Sequence, residues 1–337
     1  MRAAAFTELV GPEGVSVIER ETPGPGSGEA VIDVEACSIN RHDLWILDGD
    51  TPRVTDDDLP FVSGLDVAGT VRGVGADVRG VDPGDRVVLC PNETCGSCRY
   101  CREGPENLCE RFSLFHGGLA ETARVPADRL LALPEGVTAV EAAAVPTAYM
   151  TAYHMFRRAD VEAGDRAFVP GATGGVGVAA VQIADALGLE AVGTSSSARK
   201  LDRVRELGLD RGIESTDVDE IREAVDGPFD VVINHLGGEY TGLGQAVLRR
   251  GGTMAVCGRT AGGESTVGVT DLFLQHKRVV GSTMGTQGDL RRLLGLVADG
   301  EIDPVVDESY PLEETGAAFA AMRDRDQVGK LVVRPQQ

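Results

Sequence analysis

Cys95, Cys98, Cys101 and Cys109 form the densest set of metal-ligating side chains in this 337-residue chain. The run reads Cys95-Gly-Ser-Cys98-Arg-Tyr-Cys101, with Cys109 eight residues further on. Two successive Cys-x-x-Cys steps and a fourth thiol can close around one tetrahedral ion, and a four-thiolate shell suits zinc while leaving no open coordination position. Such a metal shapes a loop and does not touch a substrate. A disulfide-bonded set, or simply free thiols, is the alternative reading of the same residues.

A second chemistry is carried by Pro170-Gly-Ala-Thr173-Gly174-Gly175-Val176-Gly177, which follows the apolar run Arg166-Ala-Phe-Val and opens a helix. Glycines allow a tight turn and close backbone approach, and a helix start offers free N–H groups to a pyrophosphate. Ala172 stands where the usual fingerprint has its first glycine. An NAD site places an acid about 20 residues further on, against the ribose hydroxyl. Here that stretch reads Thr194-Ser195-Ser196-Ser197-Ala-Arg199-Lys200, with hydroxyls, two cations and no acid. This composition favours a 2′-phosphate, and hence NADP(H), with Ser195, Ser196, Arg199 and Lys200 as its contacts. The alternative is that Arg199 and Lys200 only solvate a helix start. Asn234, Gly258 and Ser282 end further apolar runs, where cofactor contacts fall in sheets of this kind.

The elements that must hold these residues change character along the chain. To about residue 130 there are short alternating runs such as Glu29-Ala-Val-Ile-Asp-Val-Glu and Asp85-Arg-Val-Val-Leu, broken by glycine turns, which predicts a small β-barrel-like domain. Thr138 with Glu141 three residues later reads as a capping box and a helix start. From Gly164 strands and helices alternate, which predicts a parallel, doubly wound sheet, and a helix from Leu290 leads to a last strand, Lys330-Leu-Val-Val-Arg. The expected division is 1–135, with a zinc lobe at 90–112, then 136–284, then 285–337.

The composition is 42% apolar, with no apolar run of membrane-spanning length and no signal-like apolar stretch after Met1, so a cytoplasmic protein is expected. Fifty-three acidic residues oppose 32 basic ones, a net charge of −21, and lysine occurs only at Lys200, Lys277 and Lys330. Such a surface repels nucleic acid and anionic membranes and leaves a small molecule as the expected partner. The acids are dispersed, not blocked, which fits a halophile's screened surface better than an acidic tail.

In this order the pieces resemble the medium-chain dehydrogenase/reductase superfamily of zinc alcohol dehydrogenases and quinone oxidoreductases. The resemblance rests on Gly64-Leu-Asp66-Val-Ala-Gly69, Gly73-Val-Gly75, Gly84-Asp85-Arg86-Val87, the four cysteines, Gly174-Gly175-Val-Gly177, and Gly251-Gly252 with Gly258. It implies an α/β protein: a GroES-like catalytic domain, a Rossmann domain, and a C-terminal segment that returns to the first. It also implies one structural zinc, and a dimer or tetramer.

The departures narrow the activity. Where zinc alcohol dehydrogenases bind a second, catalytic zinc, this chain has Asn40, Leu65 and Thr147, with Asp66 beside them. Asparagine and threonine are poor zinc ligands and leucine is none. A substitute set of Cys37, His42 and Asp66 is the remaining way to hold a metal. Loss of that zinc resembles the quinone-oxidoreductase and enoyl-reductase branches, which pass a hydride from NADPH to a quinone or an α,β-unsaturated carbonyl. The resemblance places Asn40 near the nicotinamide, its amide able to donate to a carbonyl, and Thr147 on a nicotinamide-facing helix with Tyr149 as a possible second donor. His42 and Asp43 are candidates for proton delivery, or for bracing the loop. His116, His154, His235 and His276 have no spaced partner and read as structural. The competing functions are an alcohol or aldehyde dehydrogenase with an altered site, and a non-catalytic NADPH-binding redox sensor.

Overall fold

Consecutive buried residues at 30–32 and 36–38 make Glu29–Ser38 a strand buried on both faces, and it becomes the spine of the first unit. A computed structural model describes residues 1–337. They form two compact units: Met1–Thr147 with Thr286–Gly300 and Pro304–Gln337, and Ala148–Gly285 with Glu301–Asp303. The first unit extends to Thr147, past the boundary at 135 expected from the sequence. The reason is the helix Ala139–Ala144, whose alanine face packs on the strands Glu29–Ser38 and Asp66–Val74. Its capping box is formed as expected: Thr138 Oγ1 accepts from the Glu141 amide at 3.2 Å, and Glu141 Oε2 accepts from the Thr138 amide at 2.7 Å.

In the first unit a seven-stranded sheet runs in the order Val306–Pro311, Lys330–Arg334, Glu29–Ser38, Asp66–Val74, Arg86–Leu89, Leu130–Ala132, with Thr122–Pro126 also paired to Glu29–Ser38. Two registers matter for the site. Ser38 lies opposite Asp66 in the antiparallel pair, and Val332 lies opposite Ser38 on the other side. The last strand of the chain is thereby laid against the first residues of the site.

In the second unit six strands are all parallel, ordered Arg211–Glu214, Glu190–Ser195, Arg166–Val169, Phe229–Asn234, Leu248–Val256, Arg278–Gly281. The chain reverses direction of travel between Arg166–Val169 and Phe229–Asn234. At such a switch point the loops after two neighbouring strands part and leave a crevice for a ligand. The short strand Arg211–Glu214 was not legible beforehand. Of its four residues only Ile213 is buried, too little for a periodic pattern.

Candidate active site

Asp66 begins its strand 0% exposed, and every hydrogen-bonding direction of its carboxylate is used. Oδ2 accepts from Ser38 Oγ at 3.0 Å and from Asn40 Nδ2 at 2.9 Å; Oδ1 accepts from the Thr147 amide at 3.1 Å and from Thr147 Oγ1 at 2.6 Å. Lys330, 4% exposed at the start of the last strand, brings its ammonium to 3.6 Å from Oδ2. The same Nζ donates to the Ile39 carbonyl at 2.9 Å and to Asn40 Oδ1. Burial raises the Asp66 carboxyl, against the pull of Lys330 and of the hydrogen bonds from Thr147, Asn40 and Ser38. Burial likewise lowers the Lys330 ammonium, opposed first by Asp66.

This network revises the expected part of Asn40. Its amide donates to Asp66 and its carbonyl accepts from Lys330, so it is held inward as a bridge and does not point its N–H at a substrate carbonyl. Thr147, half-buried, is the network's most accessible hydroxyl. The site does not fit a second zinc. Leu65 is fully buried carbon, Asn40 is spent on the ion pair, and a cation already sits on Asp66. The substitute set fares no better: Cys37 is fully buried, its thiol pushed well up by burial and by Asp43, and the only side chains that bring metal-ligating atoms together are the four lobe cysteines. Lys330 and Ser38 carry no motif, and Lys330 was read only as the start of a strand; its rarity in an almost lysine-free chain was the available signal.

Asp43 caps the helix Arg41–Leu47 from within. Its Oδ2 accepts from the Asn40 amide at 2.8 Å, and its Oδ1 from Ser63 Oγ at 2.5 Å and the Gly64 amide at 3.1 Å. Fully buried and saturated, it is a brace and not a proton carrier. His42 is not isolated: its ring stacks on that of His116 with centroids 5.5 Å apart. His116 Nδ1 lies 3.3 Å from the Ser63 oxygen. Burial pushes His116 down to about 4, with Asp43 opposing and His42 reinforcing. His116 therefore belongs beside the site, although the sequence offered no partner for it. Tyr149 is packed, its hydroxyl donating to Gln182 Oε1 at 3.0 Å, and is no second donor.

The four cysteines converge from both sides of the short helix Arg99–Glu103, with all four sulfurs within 4.8 Å of one another. Cys95 and Cys98 lie 3.8 Å and 3.5 Å from Cys101, no disulfide is formed, and four thiolates around zinc stand about 3.8 Å apart. Amides already point at the sulfurs: Cys95 N donates to Cys109 Sγ at 3.2 Å and Cys98 N to Cys95 Sγ at 3.3 Å. Hydrogen bonds from Ser97, backbone and hydroxyl, and from the Cys98 amide bring the Cys95 thiol down to about 5, while desolvation and the three neighbouring sulfurs push Cys101 up to about 11. The donor set fits one structural zinc.

In the second unit the turn after Val169 has the geometry that its glycines promised. Gly171 takes φ +69°, and a Cβ on Gly177 would lie 2.2 Å from the Gly171 carbonyl, so that position admits only glycine. Gly174 caps the helix Gly175–Ala186 without any side-chain hydrogen bond, which leaves the first amides of Gly175, Val176 and Gly177 for a pyrophosphate. Thr173 Oγ1 lies 3.2 Å from Ser195 Oγ and ties the turn to the neighbouring strand end. Ser196 and Arg199 are exposed and Lys200 is half-buried in the first turn of Ala198–Arg205. Gly258, at φ +80°, brings its backbone against His235. Ser282 Oγ is buried without a hydrogen-bond partner beyond the strand Arg278–Gly281. Asn234 is different: its carboxamide is spent on Thr241 Oγ1 and on the Leu236 and Gly237 amides, so it shapes the loop and does not reach outward. His235, read as structural, packs beside Gly171 at the switch point, where burial pushes it down to about 4.

A unit with a cysteine lobe and a doubly wound unit with a dinucleotide turn make up the two-part layout of a nucleotide-dependent oxidoreductase. Residues 26–135 match the alcohol dehydrogenase GroES-like domain and residues 175–299 the zinc-binding dehydrogenase domain. The chain is 32% identical over 328 residues to acryloyl-coenzyme A reductase of Metallosphaera sedula, covering 95% of this chain and 96% of that protein. The crystal structure of an NAD-dependent alcohol dehydrogenase superposes with a TM-score of 0.90 at 32% identity, over 99% of this chain and 100% of that one. The 2-octenoyl-CoA carboxylase reductase CinF, solved with NADP and 2-octenoyl-CoA, superposes with a TM-score of 0.89 at 27% identity, over 99% and 87%. The chain belongs to the medium-chain dehydrogenase/reductase superfamily.

Three outcomes follow from this geometry. Elemental analysis should return one zinc per chain, and Cys98→Ser or Cys101→Ser should lower Tm and abolish zinc retention; a zinc-free chain of undiminished Tm would contradict the lobe assignment. Lys330→Met strands a buried carboxylate and should cost about 3–5 kcal/mol in denaturant unfolding, most of it regained by Asp66→Asn in the same chain. For His116 and His235, both held near 4 against an ordinary value of about 6.5, the unfolded chain binds protons between these values and the folded chain does not. Stability should therefore fall as pH drops from about 6.5 to 4, by up to about 3 kcal/mol for each ring, and His116→Gln should flatten that limb of a Tm–pH curve.

Proposed function

We propose that the protein is an NADPH-dependent reductase of α,β-unsaturated carbonyl compounds, enoyl thioesters foremost, working without a catalytic metal. The observation that carries this reading is the Lys330 ammonium, seated on Asp66 and Asn40 among the residues that stand in place of zinc ligands. Similarity to an acryloyl-coenzyme A reductase and to a carboxylase reductase of 2-octenoyl-CoA supports an activated C=C as the acceptor. When bound, the reduced nicotinamide supplies a hydride to the β-carbon of such an acceptor.

The residues of this chain then have restricted roles. The acceptor's C=C electrons move toward its carbonyl oxygen, and conjugation spreads the charge, so hydrogen bonding suffices where an alcohol would need a Lewis acid. Thr147 is the catalytic hydroxyl for this oxygen: its single O–H, which donates to Asp66 Oδ1, turns to the carbonyl oxygen when the acceptor binds. Asn40, Ser38 and Lys330 are positioning residues for that carboxylate. His42, half-buried and stacked on His116, is the group that returns a proton to the α-carbon. On the nucleotide side the helix-start amides hold the pyrophosphate, and Ser196, Arg199 and Lys200 hold the 2′-phosphate.

Quinones are a second class of conjugated acceptor for the same site. The oligomer is read as a dimer or a pair of dimers through the second unit, where Val269, Phe273, Leu274 and Val279 are exposed on and beside the edge strand Arg278–Gly281.

NADPH oxidation measured at high salt across enoyl thioesters, enones, quinones and aldehydes tests the assignment. Turnover should be confined to conjugated acceptors and survive chelators of exchangeable metal. Thr147→Val should lower kcat by about a hundredfold and, by removing a hydrogen bond to buried Asp66, also lower Tm, whereas Thr147→Ser should keep most of both. Activity confined to alcohols and aldehydes would overturn the reading.

A further inference from the structure

The dinucleotide turn and the strand end beside it were read from the sequence as free of acids. The fold brings one there from a neighbouring strand. Glu214 ends the strand Arg211–Glu214 and pairs in parallel register with Ser195, so its side chain starts from the C-terminal edge of the sheet beside Ser195 and Ser196. Its Oε1 accepts from the Ala198 amide at 3.0 Å, at the start of the helix Ala198–Arg205. That amide belongs to the first turn that also carries Arg199 and Lys200, the two cations assigned to a 2′-phosphate. A carboxylate and a phosphate monoester want the same partners, a helix-start N–H and nearby cations, and they repel each other.

We propose that Glu214 sets the cofactor choice of this enzyme, by occupying the helix-start amide that a 2′-phosphate would otherwise take. The inference rests on the dinucleotide reading given above and refines it. Ser196, Arg199 and Lys200 attract the 2′-phosphate and Glu214 opposes it, so the wild-type preference for NADPH over NADH is smaller than those three residues alone would give. The 2′-hydroxyl of NADH carries no charge and tolerates the acid, so discrimination rises only when the acid is neutralised. Glu214 is exposed and its carboxylate accepts at a helix end, so its replacement leaves the core untouched.

The test is equilibrium binding to the full-length protein by calorimetry, without acceptor substrate, using NADPH and NADH and, as probes of the adenosine end alone, adenosine 2′,5′-bisphosphate and AMP. Glu214→Gln should tighten NADPH and the bisphosphate by about tenfold or more and leave NADH and AMP within about threefold. Glu214→Arg should push the same ratio further, and a thermal melt of each variant checks that it is folded. A wild-type chain that binds neither dinucleotide would overturn the nucleotide reading itself. Binding of both dinucleotides, with a ratio unmoved in Glu214→Gln and Glu214→Arg, would overturn the role of Glu214 alone.

Discussion

The buried pair of Asp66 and Lys330 is the constraint around which the first unit's site is arranged. Removing two charges from water costs several kcal/mol per ion, and Coulomb attraction offsets this only when the remaining donors and acceptors are satisfied. Here they are. Asp66 accepts from two hydroxyls, one carboxamide and one backbone amide, and the ammonium faces the Ile39 carbonyl, Asn40 Oδ1 and Asp66 itself. Three acceptors converging on one point match the three protons of a lysine, and the planar fork of an arginine would not meet them. In a chain whose positive charge is almost all arginine, this explains why one of its three lysines is placed there.

That pair also gives a physical sense to the residues that replace zinc ligands. A zinc site needs three converging lone pairs and an open position. This site has one carboxylate, an amide turned inward and a methyl-bearing hydroxyl, all organised by an ammonium that cannot accept a substrate oxygen as a fourth ligand. The lobe differs in each respect: four sulfurs within one coordination sphere, amides donating to them, and no cation among them. Metal-binding geometry is thus present where the loop needs shaping and absent where the proposed chemistry takes place.

Much of the fold was legible because its information is local. The strands Arg166–Val169, Phe229–Asn234 and Lys330–Arg334 stand where their apolar runs placed them, and the Thr138–Glu141 box starts its helix. The strand Arg211–Glu214 has too few buried residues to show a period, and the alanines of Ala139–Ala144 do not declare which sheet they pack on. Within the site, Asn40, His42, Asp43 and Thr147 were singled out, yet their individual roles depended on neighbours. Asn40 turned inward to Lys330, Asp43 became saturated by Ser63 and Gly64, and His42 acquired His116.

By itself the sequence determined the features encoded in short spacings: the cysteine quartet, the glycine turn between strand and helix, and the residue types that cannot ligate a catalytic zinc. A ligand set or a tight turn closes over a few residues, so its geometry follows from their order. The tertiary structure decided what meets what across the chain. Lys330 reaches Asn40 across 290 positions, His116 meets Ser63 across 53, and Glu214 reaches the Ala198 amide across 16 and one strand. The contacts of Lys330 and Glu214 depend on sheet register, where a shift of one residue would turn the side chain to the opposite face, and that of His116 depends on two loops meeting.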